Sequence, residues 1–123
     1  MPGADDLVGI GEVLLVEEDE QTLELLRIEL TNAGLRVVAI SNFLEARRYL
    51  AGHTPDALIT DVRLGAYNGL QLVLQLKSEH PQCRVVVVSG YEDPVLRQEA
   101  VRFGAAYLVE PFSGPELLDE LSG

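Results

Sequence analysis

Five times along the chain, a short apolar run rich in β-branched residues gives way to a stretch whose apolar residues recur at helical spacing. Strands that read as continuous apolar runs are buried on both faces, and their alternation with helices predicts a parallel sheet covered on both sides. The first run is residues 13–16, followed by Leu23, Leu26 and Leu30 at helical spacing and by Gly34 as a C-terminal cap. Residues 37–40 form the second strand, and Asn42 with Glu45 makes a capping-box variant for a helix that ends near Gly52. Residues 57–60 form the third; the helix after it carries Leu70, Val73, Leu74 and Lys77 and stops before Pro81. The fourth strand is residues 85–88, followed by a helix capped by Asp93, opened by Pro94 and closed by Gly104. Residues 105–109 are the fifth strand, and Ser113 with Glu116 is a capping box for a short last helix bearing Leu117, Leu118 and Leu121.

Length and composition narrow the rest. A chain of 123 residues with 47% hydrophobic content suits one domain, read here as residues 1–123. The barely two turns of helix before Gly123 fit a domain trimmed from a longer protein. No apolar run approaches the roughly 20 residues of a membrane span. The opening Met1 to Asp6 lacks the basic and apolar regions of a signal peptide. The single cysteine, Cys83, excludes an intrachain disulfide, and a cytoplasmic location is expected. A net charge of -11 argues against direct nucleic-acid binding, which draws its affinity from Lys and Arg. His53 and His80 have no second His or Cys at ligand spacing, so neither is read as a metal ligand.

Open parallel sheets bind their ligands beyond the carboxyl ends of the strands. Those ends read Glu17-Glu18-Asp19-Glu20, Asp61, Ser89-Gly90 and Glu110-Pro111-Phe112. Converging carboxylates oppose one another's ionisation unless a cation lies between them, and Mg²⁺ prefers such oxygen ligands. A nucleotide-phosphate loop is excluded, because the turn after the first strand is acidic where glycines would be needed. A phosphatase of the haloalkanoate-dehalogenase type would have an acid two residues after its nucleophile; here that residue is Arg63. Taken singly, Asp61 could be a solvated turn and Glu17 and Glu18 first-turn acids favoured by the helix dipole.

Four segments in register make this chain resemble the receiver domains of bacterial response regulators. They are Val13-Leu14-Leu15-Val16-Glu17-Glu18-Asp19, then Leu58-Ile59-Thr60-Asp61-Val62-Arg63-Leu64 with Asn68-Gly69-Leu70, then Val87-Val88-Ser89-Gly90, and finally Tyr107-Leu108-Val109-Glu110-Pro111-Phe112. The resemblance implies a flavodoxin-like (βα)5 fold, an α/β sandwich with strands in the order 2-1-3-4-5. It also implies a two-component signalling domain, not an enzyme in the usual sense, in which Asp61 takes a phosphoryl group from a histidine kinase or phosphotransfer protein.

By the same resemblance Glu18, Asp61 and the backbone carbonyl of Arg63 hold Mg²⁺, with Glu17 acting through water. Ser89 bonds the phosphoryl group, Tyr107 swings inward as the readout, and the Glu110–Pro111 bond is cis. The fourth helix, fifth strand and fifth helix form the face for an effector domain or a second copy. Three positions depart from the pattern. Glu18 replaces the usual aspartate, Gly65 replaces a common proline and is expected only to loosen its loop, and Glu110 replaces the lysine that bonds the phosphoryl group. Arg63 is the candidate substitute for that lysine. The alternative is a pseudo-receiver, a binding module regulated without phosphate.

Overall fold

The computed structural model describes residue 7 and residues 9–122. The Met1 to Asp6 opening and the terminal Gly123 lie outside the described residues. In chain order the elements are β1 (Glu12–Val16), α1 (Glu20–Asn32), β2 (Arg36–Ile40), α2 (Phe43–Gly52), β3 (Ala57–Asp61), β4 (Arg63–Leu64), β5 (Tyr67–Asn68), α3 (Leu70–Glu79), β6 (Arg84–Ser89), α4 (Pro94–Arg102), β7 (Ala106–Val109) and α5 (Gly114–Ser122). The five long strands form one parallel sheet in the order β2-β1-β3-β6-β7. That is the expected 2-1-3-4-5 arrangement, and β4 and β5 are a small antiparallel pair outside it.

The apolar runs are continuous because successive side chains enter opposite layers. Leu14, Val16, Leu58, Val85 and Val87 pack toward Phe43 and Ala46 of α2, Leu72, Val73 and Leu76 of α3, and Ala100 of α4. Val13, Leu15, Ile59, Val86 and Val88 pack on the other side against Leu30 of α1 and Leu117 and Leu121 of α5. Leu74, grouped by spacing with the core positions of α3, is 47% exposed. The inward stripe of α3 instead runs through Leu72, Val73 and Leu76.

Caps set the helix starts. Asn42 Oδ1 accepts the Glu45 N–H at 2.8 Å while its amide donates to the Glu45 carboxylate. Asp93 accepts from Val95 and Leu96 ahead of Pro94. Ser113 and Glu116 bond reciprocally, Glu116 N–H to Ser113 Oγ and Ser113 N–H to Glu116 Oε1. The chain passes from β1 outward to β2 and then returns across β1 to β3, so the loops after β1 and β3 diverge and leave a crevice at their carboxyl ends.

Candidate functional site

Four loops wall this crevice. It measures about 240 Å³, and its walls include Glu18, Asp61, Arg63, Ser89, Tyr91 and Glu110. The acidic run after β1 divides its work. Glu17 is only 4% exposed; its Oε2 accepts the Asp19 N–H at 3.1 Å, and its carboxyl lies near enough to Asp61 for the two to shift each other's proton affinity. Glu18 turns toward the β4–β5 turn, where its Oε2 accepts the Gly65 N–H at 2.6 Å. Asp19 is the N-cap of α1, accepting from the Thr22 N–H and hydroxyl.

Asp61 ends β3, and its Oδ1 accepts the Arg63 N–H at 3.3 Å. Behind it stands Gly69, whose N–H donates to the Val62 carbonyl at 2.7 Å. A Cβ on Gly69 would overlap the Asp61 carbonyl oxygen. This glycine therefore allows the start of α3 to press against the end of β3.

Burial pushes the Glu17 carboxyl up to about 8, reinforced by the nearby charges of Asp61 and Glu110. Burial also raises Asp61, as does the charge of Glu18, although hydrogen bonds from Glu17 and the Arg63 N–H oppose the rise. Glu110 is raised by burial and then by Asp61 and Asp19. Both carboxyls of the Glu17–Asp61 pair therefore hold a proton more tightly than free side chains do. Among the described residues the ion pairs are Arg27–Glu24 and Arg97–Glu92, and neither reaches Asp61. The Arg63 guanidinium lies 5.8 Å from the centre of the Tyr91 ring and donates to the Tyr91 hydroxyl at 3.2 Å.

Ser89, 3% exposed, donates its hydroxyl to the Tyr91 carbonyl at 3.0 Å. The Tyr107 hydroxyl donates to that same carbonyl at 3.1 Å. Tyr107 is 5% exposed, so its ring is already inward, and the Arg97 guanidinium lies 4.9 Å from the ring centre. The Glu110 N–H donates to the Ser89 carbonyl at 2.8 Å, and the Glu110–Pro111 bond is cis. Sequence reasoning missed Tyr91 as the meeting point of Ser89, Tyr107 and Arg63. Two of those three bonds go to its backbone carbonyl, which no side-chain pattern announces.

Fold and crevice together define a flavodoxin-like α/β domain with its polar chemistry at the carboxyl edge of a parallel sheet. The family model for the response regulator receiver domain matches residues 13–122, and the chain belongs to that family. It is 34% identical over 103 residues to the DNA-binding transcriptional regulator NtrC of Escherichia coli K12, a match covering 83% of this chain and 22% of that protein. The alginate biosynthesis transcriptional regulatory protein AlgB of Pseudomonas putida is 32% identical over 108 residues, 87% of this chain and 24% of AlgB. The chain thus spans under a quarter of the length of these relatives.

Among solved structures, a response regulator protein from Burkholderia pseudomallei is similar with a TM-score of 0.83 and 27% identity, covering 90% of this chain and 66% of that one. That protein was solved with a phosphorylated aspartic acid, a calcium ion and citrate. A receiver domain protein from Methanospirillum hungatei JF-1 shares the fold with a TM-score of 0.84 at 20% identity, covering 91% of this chain and 90% of that one.

Proposed function

We propose that this receiver domain accepts a phosphoryl group on Asp61, from a phosphohistidine of a histidine kinase or a phosphotransfer protein, with Mg²⁺ as the assisting ion. The observation that carries the reading is the position of Asp61 at the carboxyl end of β3, lining a crevice of about 240 Å³ at the switch point of the sheet. A carboxylate oxygen of Asp61 attacks phosphorus while the bond from phosphorus to the donor imidazole nitrogen breaks. That nitrogen keeps the electron pair and takes up a proton, and Asp61 carries an acyl phosphate.

The carboxyls suit a hard divalent cation. Glu18 and Asp61 line the crevice and Glu17 is buried beside Asp61, an all-oxygen set whose proton affinity is raised at Glu17 and Asp61 first by burial and then by neighbouring charge. Asp61, Glu17 and the Arg63 carbonyl would hold the ion, with Glu18 joining after its side chain turns. The burial of Glu17 beside Asp61 supports a more direct part for Glu17 than the water-mediated one expected from sequence. When bound, the ion offsets negative charge on the transferring phosphoryl.

Ser89 turns from the Tyr91 carbonyl to a phosphoryl oxygen, leaving Tyr107 as that carbonyl's hydroxyl donor. The α4–β7–α5 face, with Val95 and Val101 of α4 exposed, is the surface proposed for an effector domain or a second copy. Glu110 favours one competing reading, a pseudo-receiver, because a carboxylate in the crevice repels an incoming phosphoryl group.

The test is an intact-mass spectrum after incubation with acetyl phosphate and Mg²⁺. Wild type is expected to gain the mass of one phosphoryl group and Asp61→Asn none. An unmodified wild type alongside a receiver domain that labels under the same conditions supports the pseudo-receiver.

A further inference from the structure

The acidic run after β1 ties one carboxylate to a neighbouring turn. Glu18 Oε2 is held by the Gly65 N–H at 2.6 Å, and among the described residues no three His, Cys, Asp or Glu side chains are grouped to hold one ion. Gly65 lies at φ +63 in the turn between β4 and β5. Its N–H is available because residue 65 is not proline, and Glu18 reaches it with a side chain one methylene longer than aspartate. The turn that Gly65 was expected to loosen is bonded to Glu18 through that N–H.

The same turn borders a second cavity. It measures about 320 Å³, and Glu18, Phe43, Leu44, Leu64, Gly65 and Tyr67 are among its lining residues. The Tyr67 ring stacks on Phe43 with centroids 4.4 Å apart and planes 9° from parallel. Glu18 lines both this mainly apolar cavity and the acidic crevice, so it is the side chain they share.

We propose that Glu18 is a positioning residue that latches the β4–β5 turn through Gly65 and releases it when the carboxylate swings to a divalent cation beside Asp61. The latch rests on the cation reading proposed above. A short bond from a backbone N–H to a carboxylate is among the stronger hydrogen bonds, and ligation has to replace it. The latch therefore weakens cation affinity, and by linkage the cation loosens the turn by the same free energy. Occupancy of the crevice is thereby transmitted to the Phe43–Tyr67 cavity, on a face distinct from α4–β7–α5.

Amide resonances and hydrogen exchange of the ¹⁵N-labelled domain, followed during Mg²⁺ titration, test this. In wild type the Gly65 amide is expected to shift and lose protection with the same midpoint as the amides around Asp61. Glu18→Asp is too short to reach Gly65, so its Gly65 amide should be unprotected without metal and its Mg²⁺ affinity several-fold higher. Glu18→Gln keeps an acceptor oxygen but no charge, so Gly65 should stay protected and stop responding to Mg²⁺. If the amides around Asp61 respond in wild type while Gly65 does not, the latch is wrong and the cation site stands. If no amide responds, the cation site itself is wrong and the latch falls with it.

Discussion

Glu17 sits in an environment far from that of a free side chain, and the consequence can be read in stability against pH. Its folded pKa of about 8 lies above the ordinary 4.5, so between these values the folded state binds more protons than the unfolded state. Stability therefore falls as pH rises through that window, and Asp61, shifted in the same direction, adds to the fall. Thermal melts of the metal-free domain should show this decline, and Glu17→Gln, which keeps a neutral group in place, should flatten it. Millimolar Mg²⁺ should raise the melting temperature most at the alkaline end, where the ion no longer competes with a proton. A melting temperature that climbs steadily from pH 5 to 8 without metal contradicts this account of the pair. The sequence made legible that acids converge at the strand ends. It did not reveal that Glu17 faces Asp61, Glu18 faces Gly65 and Asp19 caps a helix, because neighbouring acids are separated by backbone direction alone.

At the scale of elements, the five long strands and five helices were legible from apolar runs and caps, since each core layer reads every second strand residue. The β4–β5 pair was not. Two residues per strand, joined through backbone bonds between Arg63–Leu64 and Tyr67–Asn68, carry no periodicity to detect. Gly69, at the end of this excursion, is where the element is most easily broken. A Cβ there meets the Asp61 carbonyl oxygen, a backbone atom that cannot rotate aside. Gly69→Ala should cost about 3 kcal/mol, at the upper end for overpacking, with added loss of order in the Asp61 loop. Urea denaturation measures the cost; a change below about 0.5 kcal/mol, as at an ordinary surface site, contradicts the close approach.

For the whole molecule, the sheet order brings Glu18, Asp61, Ser89 and Glu110 from beyond four strand ends to one crevice. Its lining holds the carboxyls of Glu18, Asp61 and Glu110 against one guanidinium, that of Arg63. Arg63, the nearest cation in sequence, is drawn to Tyr91, and Glu110 lines the crevice, where the proposed reading puts it in place of a phosphoryl-binding lysine. Loss of one preorganised charged donor slows such transfers by roughly 100- to 1000-fold, so slow labelling is the signature of this crevice. The most direct measurement is the rate of Asp61 labelling by acetyl phosphate at fixed Mg²⁺, compared among wild type, Glu110→Lys, Arg63→Ala and Asp61→Asn. Wild type should label slowly, Glu110→Lys about 100-fold faster, Arg63→Ala more slowly than wild type, and Asp61→Asn not at all. Labelling that persists in Asp61→Asn, or its absence from both wild type and Glu110→Lys, contradicts the assignment of Asp61 as the phosphoryl acceptor.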